Sequence, residues 1–587
     1  SGRAVPIFPI TLGDQPTGAK RRRAQRRNSW SNVVNASLTA DGLTGPGAPF
    51  EIVEEVVLGE RMPVFKNRPR SARELLLDSA RHGDLHYIVH DDQRVSFDEH
   101  LQRVAAFAHV LREEFGVTSG DRVAILAANG PEWIIAFWAT LSIGGVIASM
   151  NSLWAPPEIE HALASCEPTV LIADRARRAR VPARHDGVSY RTIEVESEFE
   201  SLVARGRGAA ISDVPIDEDD PAVILYTSGT TGRSKGAVAS HRSICGFVTL
   251  SRYSGAAAMA AAGAGVAPAV GTRQIALITV PLFHASGLYG FVVGQLATGG
   301  TVVLRSGRFD EDDVLRLIER EGVTMWAALG SMGPRVAERA PGCGRDLSSM
   351  RLLAVGGAPV SPAHQQQLRD AFPNASINIS MGYTSSEAVA VVTRIQGQEM
   401  RDHPTSAGRV IATTSLEIRD PDGQPVAEGV DGEIHVRSPY LMLEYWRDEH
   451  ATRAALKPGR WLAMGDIGCL RDGRLYINSR ARDMILVNAE NVFPTEVEYR
   501  LDAHPDVREC AVVGVDDPVT GQAIRAVVVV PDGTTLGVAA LDRWCRDALA
   551  GYKVPTQWEI RHEALPRNAS GKVLKRELEQ ASQPAEA

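Results

Sequence analysis

The chain has 587 residues and a mass of 63.3 kDa, enough for about four domains at roughly 150 residues each. Hydrophobic residues make up 44% and charged residues 23%, which excludes wholesale disorder as well as collagen-like and coiled-coil classes. A net charge of -8 argues against a generic nucleic-acid binder.

Residues 1–65, rich in Gly, Pro, Ala and Arg, read as an extension that is loosely ordered or draped over the main body. Its basic run, Lys20 to Arg27, reads as a solvated tail, and no apolar stretch follows it to make a secretory leader. Ser71 with Glu74 three positions on predicts a capped helix through Leu77. Arg122 to Leu126 reads as a strand. The 18 uncharged residues from Trp133 to Met150 reach the threshold for a membrane span. Thr140, Ser142, Ser149 and the pair Gly144-Gly145 make them a buried helix behind that strand instead, so no integral membrane span is expected.

Val170–Ala173, Ala222–Tyr226, Ile275–Ile278 and Thr301–Leu304 read as short buried strands with helices between them. That alternation predicts parallel sheets covered by helices. The Ala/Gly-rich stretch from Gly255 to Val270 reads as an insertion loop, with an Ala-rich helix as the alternative. From about 410 to 480, short strands and turns such as Asp420–Gly423 and Arg471–Gly473 predict a small β-rich subdomain. The last hundred or so residues mix strands (Ala511–Val513, Ala526–Val530) with helices as a separate small α+β domain. The expected class is α/β: a large domain over 66–481 and a small mobile domain over 482–587. The six cysteines stand singly, without a C-x-x-C pair, which excludes a disulfide scaffold or zinc ribbon and fits a reducing cytoplasm.

The most informative segment runs from Tyr226 to Gly236, behind a buried strand. Gly229, Gly232 and Gly236 allow tight turns and close approach to an anion. Thr227, Ser228, Thr230, Thr231 and Ser234 supply hydroxyls and Lys235 a positive charge, a set suited to a polyphosphate. No Gly-Lys-Ser/Thr triplet exists, so it is not a Walker A loop. The segment resembles the signature of the adenylate-forming superfamily of acyl-CoA synthetases, peptide-synthetase adenylation domains and beetle luciferases. Further motifs follow in the family's order, and the resemblance covers residues 72–578.

Pro281 to Gly287 matches the family's second motif, and the resemblance places His284, Ser286 and Gly287 at the acyl pocket, with Gly330 and Gly356 as further pocket candidates. Gly356-Gly357-Ala358-Pro359 resembles the loop that forms one face of the adenine site. Gly382 to Glu387 resembles G-Y-G-x-T-E: Tyr383 would stack on adenine, Ser386 touch the α-phosphate and Glu387 hold Mg2+. Thr384 and Ser386 depart from that pattern. Trp461 to Asp466 resembles G-W-x-x-T-G-D, with Arg460 and Met464 as departures, and implies that Asp466 accepts from the ribose hydroxyls. Asn478 to Asp483 resembles the hinge motif, with Arg480 toward ribose or phosphate and Arg482 at the hinge. Pro566 to Lys572 resembles P-x-x-x-S-G-K, whose lysine contacts the carboxylate and α-phosphate.

The resemblance implies a reaction in which a carboxylate attacks the α-phosphorus of ATP and pyrophosphate leaves. No side-chain nucleophile is needed, only positioning and charge neutralisation. The thiol of CoA then displaces AMP. The thiol-tunnel loop, with Asn488, Ala489 and Glu490, carries Asn and Ala where the family usually has glycines. That predicts sound adenylation with a slow or altered thiol step. Transfer to a separate carrier protein, a luciferase-like oxygenase and a non-catalytic nucleotide-binding homologue are the alternatives. Lys572, Glu387 and Asp466 are all present, against the last. Several pocket candidates are small, which favours a bulky or long apolar acid over acetate.

Overall fold

The structure, a computed structural model, describes residues 40–182, 189–227, 234–262, 273–357, 360–487, 490–517, 520–568 and 571–580. The expectations for residues 1–39 lie outside this set. A hairpin and three larger sheets carry the described chain.

The first large sheet has six strands, in the order Lys235–Ser240, Pro221–Thr227, Val146–Ser149, Arg122–Leu126, Val170–Ala173, Arg191–Glu194. All its pairs are parallel except that of its first two strands. Val123 to Leu126 and Val170 to Ala173 are buried on both faces, as near-continuous apolar runs require.

The second sheet holds the site. Helix α1 (His241–Ala262) leads toward it, and its parallel centre includes β1 (Met325–Leu329), β2 (Leu352–Gly356) and β3 (Ile379–Tyr383). Beyond β3 the pairing turns antiparallel at β4 (Thr393–Gln396). The same sheet then runs on through Gly408–Val410, Arg474–Arg480, Trp461–Arg471, Gly432–Arg437 and Ser415–Arg419. The expected β-rich region is therefore an extension of the central sheet. Its Asp472-Gly473 turn has both residues at positive φ, 50° and 69°, as a two-residue hairpin turn demands. The third sheet, of five strands between Ile485 and Arg561, packs with helices Pro494–Asp502 and Val538–Arg546 as the expected α+β unit.

Three local expectations change. The uncharged run from Trp133 is not one helix. It is a helix, Pro131–Ser142, and a strand, Val146–Ser149, broken where Gly144 takes φ +75°. Among the described residues no helix is long and apolar enough to cross a membrane. Of the Ala/Gly-rich stretch, residues 255–262 continue α1, the helical alternative, because alanine favours helix where no turn is imposed, and residues 263–270 lie outside the described residues. Within the expected loose extension, Ile52–Val57 and Glu60–Phe65 form an antiparallel hairpin. Phe50 and Phe65 pack against Tyr253 of α1, and Arg68 joins Glu55 to Glu218.

Two histidines are sealed in this core. Burial, then Arg103, pulls His100 down to about 3; burial, then Arg73, pulls His241 down to about 4. Both have no side-chain exposure to speak of, and neither ring nitrogen of His100 has a partner among the described residues. Their folded pKa values lie below the unfolded value near 6.5, so the unfolded chain takes up protons first as pH falls. Their stabilising neutrality is complete above about pH 6.5 and is lost toward pH 4, at about 2 kcal/mol each by pH 5. Urea midpoints are expected to drop between pH 7.5 and pH 5, and His100→Phe to flatten that slope by its own share.

Candidate active site

One cleft of about 2030 Å³ runs between the central sheet, α1 and the C-terminal unit. Thr227 and Lys235 are register partners in its wall, so the two ends of the phosphate loop are held side by side. Ser228, Gly229, Thr230, Thr231 and Gly232, between them, lie outside the described residues. The Lys235 ammonium sits 5.4 Å from the centroid of the Tyr445 ring, and the Tyr445 hydroxyl donates to Glu387 Oε1 at 2.7 Å. Loop lysine and acidic residue are thereby joined through one tyrosine. Sequence reasoning missed Tyr445; it stands 58 positions from Glu387 and belongs to none of the recognised motifs.

Tyr383, Asp466 and Arg480 come together at a second point. The Tyr383 hydroxyl donates to Asp466 Oδ2 at 2.5 Å, and Arg480 Nε lies 2.9 Å from Asp466 Oδ1. Asp466 and Arg480 are register partners on adjacent strands, which sets their approach. Burial raises the Asp466 carboxyl above its ordinary value despite the opposite pull of Arg480 and Tyr383. Burial also lifts the Tyr383 hydroxyl well above its ordinary value, reinforced by Asp466.

Lys572 reaches the same cleft from the C-terminal unit, its N–H held by Asn568 Oδ1 at 3.0 Å. It is open to solvent along the cleft yet walled by protein on most sides. That desolvation, followed by the charge of Arg480, lowers its pKa, while Asp466 and Glu387 oppose the shift. The approach depends on two glycines. Gly330 has φ +56°, and a Cβ there would stand 2.9 Å from the carbonyl oxygen of Gly571, next to Lys572. Gly330→Ala is expected to displace that loop and slow adenylation by about 10-fold or more. Thiol transfer from supplied acyl-AMP should change little; pyrophosphate exchange and single-turnover thiolation measure the two separately.

His284 and Ser286 line the cleft, and Ser386, Gly356 and Gly357 are in its wall too. Burial, then the charge of Lys572, pulls His284 down to about 4, so the ring is neutral at pH 7. Gly287, expected at the pocket, is instead buried behind the wall, where a Cβ would come within 2.4 Å of the Pro281 carbonyl oxygen. Its smallness serves packing. Arg482 lines the cleft in a 3-10 turn (Ala481–Asp483), whereas Glu490 is exposed on a short strand away from it. Ala358, Pro359, Asn488 and Ala489 lie outside the described residues. Thr384 replaces a glycine without backbone strain: it is not at positive φ, and its hydroxyl donates to the Ala390 carbonyl at 2.7 Å.

Comparison with known proteins agrees with this geometry. The model for AMP-binding enzymes matches residues 77–446, and that for the AMP-binding enzyme C-terminal domain matches 496–572. A feruloyl-CoA synthase of an Amycolatopsis species is 34% identical over 495 residues, covering 84% of this chain and 94% of that protein. MatB from Rhodopseudomonas palustris, solved with ATP bound, superposes with a TM-score of 0.75 at 26% identity, over 87% of this chain and 99% of that one. The amide bond synthetase McbA from Marinactinospora thermotolerans superposes with a TM-score of 0.74 at 28% identity, over 87% and 100%. Both parts of the cleft are matched in order, and the chain belongs to the family of AMP-binding, adenylate-forming enzymes.

Proposed function

We propose that the protein is an acyl-CoA ligase: with ATP it joins a bulky or long carboxylic acid to AMP, releasing pyrophosphate, and then passes the acyl group to the thiol of CoA. The observation that supports this most is the convergence of Lys572, Arg480, Asp466 and Glu387 on one cleft from two parts of the chain. Tyr383 and Asp466 orient the nucleoside. Thr227, Lys235 and the loop between them hold the phosphates. Lys572 neutralises the meeting of the carboxylate with the α-phosphate, and Ser386 donates there. His284, kept neutral, shapes the wall without adding charge beside the reacting carboxylate.

Glu387 suits Mg2+, which usually takes one or two carboxylates and completes its shell with phosphates and water. The described residues hold no cluster of three or more His, Cys, Asp or Glu that would suggest an all-protein metal cage. Bound there, Mg2+ would offset the charge of the phosphates; Tyr445 holds one oxygen of Glu387 and leaves the other for it. Arg482 would be the hinge about which the C-terminal unit turns for the thiol step, bringing Asn488, Ala489 and Glu490 to the cleft. The six cysteines are all free, which suits a cytoplasmic setting.

A second reading keeps adenylation and changes the acceptor. Asn488 and Ala489 stand where a pantetheine arm favours glycine, and one structural relative is an amide bond synthetase. A carrier-protein thiol or an amine would then receive the acyl group. The test incubates the enzyme with ATP, Mg2+ and a panel of acids, with CoA, with an amine or with neither, and detects each acyl product by mass spectrometry. Acyl-CoA formation is expected; acyl-AMP that persists with CoA but is consumed by amine favours the second reading. No acyl-AMP, no pyrophosphate release and no ATP binding would overturn both.

A further inference from the structure

The cleft wall contains a cation that the reaction does not use. Register places it. Ala327 pairs with Ala354, Ala354 with Ser380, and on the next strand Gly382 pairs with Arg394. Register partners, and residues two apart on a strand, point to the same face of a sheet. Met325, Ala327, Ala354, Ser380 and Arg394 therefore share one face of β1 to β4, and all five line the cleft. The opposite face, with Trp326, Leu353 and Ile379, is sealed, Trp326 lying edge-on against Phe372. Phe247 and Ser251 of α1 also line the cleft.

Other arginines of the cleft wall are held by the protein. Arg252 donates to the Ala297 carbonyl at 2.6 Å, Arg480 pairs with Asp466 at 2.9 Å and Arg508 with Glu338 at 3.0 Å. Arg394 is different. Among the described residues no carboxylate pairs with its guanidinium and no group accepts a hydrogen bond from it. Burial alone lowers its pKa, with no carboxylate opposing the shift. On its face of the sheet the other cleft-lining residues, Met325, Ala327, Ala354 and Ser380, are small or apolar.

A desolvated guanidinium without a counter-ion is costly, and the cost is offset when an anion binds it through charge-assisted hydrogen bonds. We propose that the acid substrate carries a second anionic group, a distal carboxylate, which Arg394 receives while the first carboxylate is activated. This rests on the ligase reading above and specifies the acid it takes. A purely apolar acid leaves the guanidinium unsatisfied.

The test compares matched acids: octanoate with octanedioate, and cinnamate with 4-carboxycinnamate. Acid-dependent pyrophosphate exchange is measured in wild type, Arg394→Met and Arg394→Lys. Wild type is expected to favour each diacid at least 10-fold in kcat/KM. Arg394→Met should lose that preference through KM for the diacid, keep or gain activity on the monoacid and leave KM for ATP unchanged; Arg394→Lys should retain part of the preference. Wild-type preference for the monoacids, or equal losses on both members of a pair in both folded variants, overturns the inference while the ligase reading stands. Wild type that adenylates no acid at all overturns the ligase reading and this inference with it.

Discussion

Lys572→Ala is expected to cut acyl-AMP formation by about 100- to 1,000-fold, the usual cost of removing one preorganised charge stabiliser from a reaction centre. Its side chain enters the cleft from the C-terminal unit, so its loss leaves the nucleotide-binding wall of the large domain in place. KM for ATP should move far less than kcat, because Asp466, Tyr383 and the phosphate loop remain. Thiolation of chemically prepared acyl-AMP should survive, since that step does not call on this ammonium. The lowered pKa adds a pH signature. Burial and Arg480 favour the neutral amine, so wild-type adenylation should fail on the alkaline side at a lower pH than an ordinary lysine would dictate. Lys572→Arg, which stays charged, should hold its residual activity through that range. Full adenylation by Lys572→Ala would remove the residue from the mechanism.

Glu387→Gln is expected to reduce adenylation by about 100-fold at ordinary Mg2+, with partial recovery as Mg2+ is raised. Glutamine keeps the size of the side chain and can still accept from Tyr445, so the change isolates charge. Tyr445→Phe is the informative companion. It keeps the carboxylate but frees it from the 2.7 Å hydrogen bond, and it leaves the Lys235 ammonium an aromatic face. Its loss should be much smaller and should not respond to Mg2+. Equal losses in the two variants would mean that Glu387 acts by holding Tyr445 and not by holding a cation. Isothermal titration of MgATP against ATP alone distinguishes these outcomes directly.

Much of the architecture was legible locally. The strands Arg122–Leu126, Val170–Ala173, Ile275–Ile278 and Thr301–Leu304 lie where short apolar runs place them, because strands buried on both faces need no polar alternation. The Ser71 cap forms as its spacing requires, its hydroxyl accepting from the Glu74 N–H. The motifs were legible too, since glycines, hydroxyls and charges at short spacing encode loop geometry and chemistry together. What misled the reading was also local. An uncharged run looks like one helix until Gly144 turns the chain, and in the Ala/Gly-rich stretch it is the helical alternative that residues 255–262 follow.

The sequence by itself determined the family, the order of the motifs and the residue types available to neutralise a polyphosphate. Only the tertiary structure decided which of them meet. Tyr445 reaches Glu387, and Gly330 makes room for Gly571, across separations in the chain that no local pattern reports. Gly287 lies behind the wall and Glu490 outside the cleft, although both sit in motifs. Arg394 makes the point most sharply: its charge is written in the sequence, but the face on which it emerges follows from the register of β3 against β4. Strand pairing chooses the face on which a side chain emerges, and a shift of one residue would have buried that guanidinium behind the sheet, away from the cleft.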